Sequence, residues 1–119
     1  MKELSQLHRQ ILTLCAEDHL GLWFAMTPLE NVFEKANSDE IRRRTLEILY
    51  DLLKLDLIQA GFPAESGRSF KTWGLSPDET IQRINQEWDA LGRDPTIGEI
   101  VWFTTTEKGD VLFHRPRNP

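Results

Sequence analysis

Cys15 and His19 lie one helical turn apart, close to His8, and are the first residues whose types could do chemistry. A thiol beside an imidazole can act as a nucleophile–base pair or as two ligands of a metal. A nucleophile also needs a group to stabilise an oxyanion, and a metal needs three or four convergent ligands. The sequence pattern supplies neither. Cys15 falls on the apolar stripe of its own segment, so it is expected to be a packed, unreactive thiol. The carboxylate pairs Glu17-Asp18, Asp39-Glu40 and Asp78-Glu79 sit at helix ends or starts, and acids in a first helical turn are ordinary partners of the helix dipole. The seven glycines are scattered among turns and form no phosphate-cradling loop. The expectation is a chain that is not an enzyme and carries no metal or cofactor.

The second chemical feature is Arg42-Arg43-Arg44, near the start of "SDEIRRRTLEILYDLLKLDLIQAG". At ~100° per residue, the apolar face of Ile41, Ile48, Leu49, Leu52 and Leu53 is flanked by Arg42 and Arg44, while Arg43 points outward. Arg43 is spaced to pair with Glu47, and Arg44 with Glu40; i,i+4 ion pairs of this kind contribute ~0.2–0.5 kcal/mol each. An arginine at the N-terminal part of such a helix can also grip a guanine edge bidentately. Arg42, Arg43 and Arg44 are therefore candidate nucleic-acid contacts, with Arg68 and Lys71 further along the chain. Tyr50, Trp73, Trp88 and Trp102 are candidate protein-interface residues, because large aromatics are enriched where proteins meet. The same tryptophans equally serve to fasten the segment around them to the core.

The elements that must position these residues can be read from apolar spacing. Leu4, Leu7, Ile11, Leu14 and Cys15 predict a helix over residues 3–18, and "HLGLWF" predicts a short apolar connector or strand. "TPLE" predicts a second helix, with Thr27 as cap and Pro28 in its first position. Ser38 is the expected cap of the arginine helix, which runs to about Leu55 and is followed by a strand ending at Gly61. Residues 63–73 are predicted to be loop. Ser76, Pro77 and Glu79 form a capping box for a further helix lined by Ile81, Ile84, Trp88 and Leu91 and ended at Gly92. Ile100 to Thr106 predict a strand. Residues 107–113 are left open between a hairpin return and a helix, and "HRPRNP", with a solvated His114, is expected to fray.

This order of elements resembles a winged helix-turn-helix. The likeness is carried by "NSDEIRRRTLEILYDLLKLDLIQAG", similar to a third helix opening into a wing strand, and by "VWFTTTEKG", similar to the close of the wing in bacterial regulators. It covers roughly residues 4–61 and 100–113. The segment "SPDETIQRINQEWDALGRDPTIGEIVWF" is similar to one found in bacterial proteins of uncharacterised function. The resemblance implies an α+β fold, a single winged-helix-like domain over residues 1–119 with about four helices and a small antiparallel sheet. In the usual pattern the wing strands are joined by a short turn, whereas here an insertion at about 63–97 separates them.

Composition narrows the function. The chain of 119 residues is 39% hydrophobic and 28% charged, as expected of a globular domain with its own core. One cysteine excludes an internal disulfide, and no apolar run approaches the ~20 residues that a membrane span needs, so a cytoplasmic location without membrane contact is expected. The net charge of −5 is spread over both halves and disfavours phosphate backbones. The expected function is a non-enzymatic, acidic protein-interaction module, adaptor-like or inhibitor-like, acting on a protein partner or by self-association. The alternative is a DNA-binding winged-helix transcriptional regulator that reads with its third helix.

Overall fold

The computed structural model describes residues 4–113; the expectations for His114 and the tail lie outside them. Helix α1 (Gln6–Glu17) starts at Ser5, whose Oγ accepts from the His8 amide while His8 Nδ1 accepts from the Ser5 amide. This is a capping box with histidine where glutamate or glutamine usually stands. Ile11, Leu12 and Cys15 are buried on one face of the helix.

Strand β1 is only Leu20–Gly21. Leu22–Ala25 then forms a helical turn, α2, leading through Met26 into α3 (Thr27–Val32). The expected apolar connector or strand is thus a strand at Leu20–Gly21 and helical from Leu22 onward. A spacing of three lets Leu22 and Ala25 both face the core, which an extended chain would not. Thr27 is not a cap but the first residue of α3; the cap position belongs to Met26, which makes no side-chain cap bond.

Helix α4 (Ser38–Lys54) is capped one residue earlier than expected, by Asn37, whose Oδ1 accepts from the Glu40 amide at 2.9 Å. It buries Ile41, Thr45, Leu46, Ile48, Leu49 and Leu52. At its far end Asp56 takes a left-handed conformation (φ 60°), with Leu57 N donating to Leu52 O and Asp56 N to Leu53 O. This Schellman arrangement turns the chain sharply from helix into strand.

That strand, β2 (Ile58–Ala64), runs three residues past Gly61 and folds back through a tight turn at 65–67 into β3 (Ser69–Thr72). The predicted loop at 63–73 is therefore largely a hairpin. Helix α5 (Pro77–Leu91) has the expected box, with Ser76 Oγ accepting from Glu79 N and Glu79 Oε1 accepting from Ser76 N, both at 3.1 Å. Its end at Gly92 takes the left-handed conformation (φ 71°) that glycine adopts without steric cost. Strand β4 (Trp102–Thr105) follows, and residues 107–113 resolve as helix α6 (Glu107–Phe113).

The sheet has the order β1-β4-β2-β3, every neighbouring pair antiparallel. β4, last in sequence, lies between β1 and β2, so the sheet closes only when the chain returns from α5. Ile58, Ala60 and Phe103 are buried on the inner face, where Ala60 is opposite Phe103. Ile11, Leu22, Leu29, Leu49, Leu52 and Ile84 complete the centre of the core, so α5 shares one core with α1, α3 and α4. Just before the start of β2, α6 approaches so closely that a Cβ on Gly109 would stand 2.0 Å from Leu57 O. The described residues form an α+β fold with a four-stranded antiparallel sheet, and no described helix is long and apolar enough to cross a membrane.

Candidate interaction surface between the arginine helix and its neighbouring helix

The three arginines meet three different environments. Arg42 crosses from α4 to α5: its Nη2 donates to Asn85 Oδ1 at 2.8 Å, to Asn85 O at 3.2 Å and to Asp89 Oδ1 at 2.9 Å. Its guanidinium also stacks 4.7 Å from the centre of the Trp88 ring. Arg43 points to solvent and pairs with Glu47 at 3.1 Å. Arg44 pairs with Glu40 at 2.9 Å and covers the Phe33 ring at 4.4 Å. Both anticipated i,i+4 pairs are present. Arg42 finds its partners more than forty residues away, where helix spacing alone could not locate them.

Arg83 and Arg93 follow the same pattern. Arg83 pairs with Glu87 and stacks 3.9 Å from the Trp73 ring, and Arg93 donates from both terminal nitrogens to Glu99, each at 2.8 Å. Arg68, just beyond the hairpin turn, and Lys71, on β3, are exposed and have no ion-pair partner among the described residues. They sit on a different element from the α4 arginines.

The aromatic candidates separate in a similar way. Trp88 is only 2% exposed, and its Nε1 donates to Asp94 Oδ1 at 3.3 Å. It lies beneath Arg42, packed into the core. Trp102 is half-buried on β4, edge to face with Trp23 at 4.9 Å. Tyr50 remains partly open and holds Lys54 near its ring.

Two hollows of about 500 Å³ each flank the α4–α5 seam. Leu46, Tyr50 and Ile81 line the first, together with Asp39, Arg43 and Glu47. Trp88, Asp89, Arg93 and Asp94 line the second. Arg42 and Asp39 belong to both. The hollows are two halves of one trough, separated where Arg42 reaches over to α5.

A clasped loop borders the second hollow. Glu99 Oε1 accepts from the Thr96 amide at 2.7 Å and from Thr96 Oγ1 at 3.0 Å, in addition to its pair with Arg93. The bond from Arg93, and then that from the Thr96 amide, lower the Glu99 carboxyl from 4.5 to about 2. A folded-state value below the ordinary one means that the contribution is complete above about pH 4.5 and is lost as pH falls towards 2. The Thr96 amide resonance is accordingly expected to titrate near pH 2 in the native protein and to lose that step in Glu99→Gln. A midpoint close to the ordinary carboxylate value would show that the clasp does not form in solution.

The remaining candidates are internal. Cys15 is buried, and burial pushes its thiol up to about 12, far from a thiolate at neutral pH. His19 turns its ring towards Phe70, with centroids 5.1 Å apart. His8 does not join Cys15 and His19: its Nε2 lies 2.8 Å from Asp51 Oδ2 and its Nδ1 2.5 Å from Ser5 Oγ. This hydroxyl–imidazole–carboxylate row has the order of a proton relay. Its geometry is accounted for by fastening the start of α1 to α4, since Nδ1 also takes the Ser5 amide and Ser5 Oγ also takes the His8 amide. The usable signal was Ser5-x-x-His8, a capping-box spacing with an unusual third residue. Among the described residues no group of three or more His, Cys, Asp or Glu side chains is placed to hold a metal ion.

No protein-family model, curated protein or solved structure matches this chain.

Proposed function

We propose that this chain is a non-enzymatic, acidic protein-interaction module built on a winged-helix-like frame, and that the α4–α5 seam is its contact surface. The frame is supported by the order helix, strand, helices, long helix, strand, strand, with β1-β4-β2 as its sheet. On this reading, β3 and α5 are additions between the two wing strands. The observation that carries the functional part is the pairing of Arg42, Arg43 and Arg44 with Asp89, Glu47 and Glu40. A helix that reads DNA presents unpaired cations to the groove, and each phosphate contact releases counterions and makes affinity fall with salt. Here an inserted helix lies against α4 and holds its innermost arginine.

A second reading keeps the unpaired Arg68 and Lys71, which give the hairpin two cations for a phosphate backbone. Duplex-DNA titration at ~0.1 M salt separates the two. The expected result is no binding in the range of Kd ~10⁻⁴–10⁻⁶ M that DNA-reading proteins show even for non-specific sites. Replacing all three α4 arginines by alanine is expected to lower the melting temperature through lost ion pairs and stacking. Micromolar, salt-sensitive DNA binding that disappears with Arg43→Glu would install the regulator reading in place of the interaction module.

A further inference from the structure

We propose that the α4–α5 trough takes the apolar face of a cationic amphipathic helix from another protein, an inference that rests on the interaction-module reading above. The charges along the trough do not cancel. Arg42, Arg43 and Arg93 are each matched by an acid, namely Asp89, Glu47 and Glu99. Asp39, which lines both hollows, is exposed and has no ion-pair partner among the described residues. Among the described residues the Asp94 carboxylate accepts from Ser38 Oγ and Trp88 Nε1, two neutral donors. Two carboxylates, at the start of α4 and just past the end of α5, therefore have no cationic side-chain partner among the described residues, on a protein that carries a net charge of −5.

The first hollow also has an apolar wall. Leu46, Tyr50 and Ile81 line it, and Ile81 and Tyr50 are only partly covered by the chain itself. From Asp39 to Tyr50 the α4 wall spans twelve residues, or ~16 Å at 1.5 Å per residue step, the length of about three helical turns. A partner helix of that length presents anchors at i, i+3 or i+4 and i+7 to such a groove. These acids select for lysine or arginine just beyond that stripe, over Asp39 and Asp94. An acidic or phosphate-bearing ligand meets the wrong sign along this line.

The probe is a fluorescein-labelled fourteen-residue leucine–lysine amphipathic helical peptide, followed by anisotropy at ~0.1 M salt against the full chain. Binding in the micromolar range is expected. Tyr50→Ala and Ile81→Asp are each expected to weaken it about tenfold or more, with the fold of every variant checked by its melting curve. Asp39→Lys is expected to weaken it about tenfold, whereas Glu17→Lys, the same change in net charge on exposed α1, is expected to leave it within about twofold. Equal weakening by Asp39→Lys and Glu17→Lys would reduce the binding to net charge and overturn the assignment of the trough. Peptide binding that persists in both Tyr50→Ala and Ile81→Asp would do the same. No peptide binding at 100 µM, with no DNA binding either, overturns this inference and leaves the interaction module standing. Salt-sensitive capture of duplex DNA instead removes the reading beneath it.

Discussion

Trp88→Ala is expected to destabilise the chain by ~3–5 kcal/mol, the range for emptying a buried aromatic site. Three losses combine at this position. The indole is 2% exposed and shares the core with Ile84, so its removal leaves a cavity that the α4–α5 packing closes only in part. Asp94 loses the Nε1 donor at 3.3 Å, and Arg42 loses the ring on which it stacks at 4.7 Å. A cation–π contact of this kind is worth ~0.5–2 kcal/mol according to its desolvation. Urea unfolding measures the sum, and Trp88→Phe separates its parts by restoring most of the volume without the indole donor. In a double-mutant cycle, Arg42→Ala and Trp88→Ala are expected to couple by at least ~0.5 kcal/mol, since they touch. A Trp88→Ala variant within 1 kcal/mol of wild type would mean that α5 does not dock through Trp88, and the trough would lose one wall.

Whatever lies within one helix could be read from spacing. The apolar stripes of α1, α4 and α5 gave their buried faces, the Ser76 box gave the start of α5, and helical period placed Arg43 outward with Glu47 in reach. Whatever depends on which faces meet could not be read. Arg42 stands beside Asn85 and Asp89 because α5 returns across α4, and a period of 3.6 gives the angle of a face but not its neighbour. His8 and Asp51 are separated in the same way, forty-three residues apart.

Two local errors have local causes. β3 was missed because "SFKT" contains one large apolar residue and has no alternation to detect; backbone pairing with β2 makes it a strand. In "HLGLWF" a short run of large apolar residues looks alike for strand and helix, and burial of Leu22 together with Ala25 decides for a turn of helix after β1.

The hairpin that spacing missed supplies the other large expected effect, from Gly61→Ala. Gly61 is opposite Thr72 of β3 on one side and Trp102 of β4 on the other, so both neighbours of β2 meet at this residue. A Cβ built there would stand 2.1 Å from Lys71 O and 2.8 Å from Thr72 Cα. Both obstacles are backbone, and no rotamer change relieves them. Nor can the strand rotate freely, because Ile58 and Ala60 hold its inner face and Trp73 N donates to Ala60 O at 2.9 Å, just beyond the pair. The strain must therefore separate β3 from β2 while β2 stays on β4. Overpacking of this kind costs ~1–3 kcal/mol and sometimes more. Amide exchange is expected to show protection lost across Ser69–Thr72, with β4 and the helices still protected. If β3 stays protected and stability is unchanged, the close approach at Gly61 is absent in solution. If protection is lost evenly across the sheet, the hairpin and the core form one cooperative unit, and Arg68 and Lys71 are carried on a rigid part of the fold.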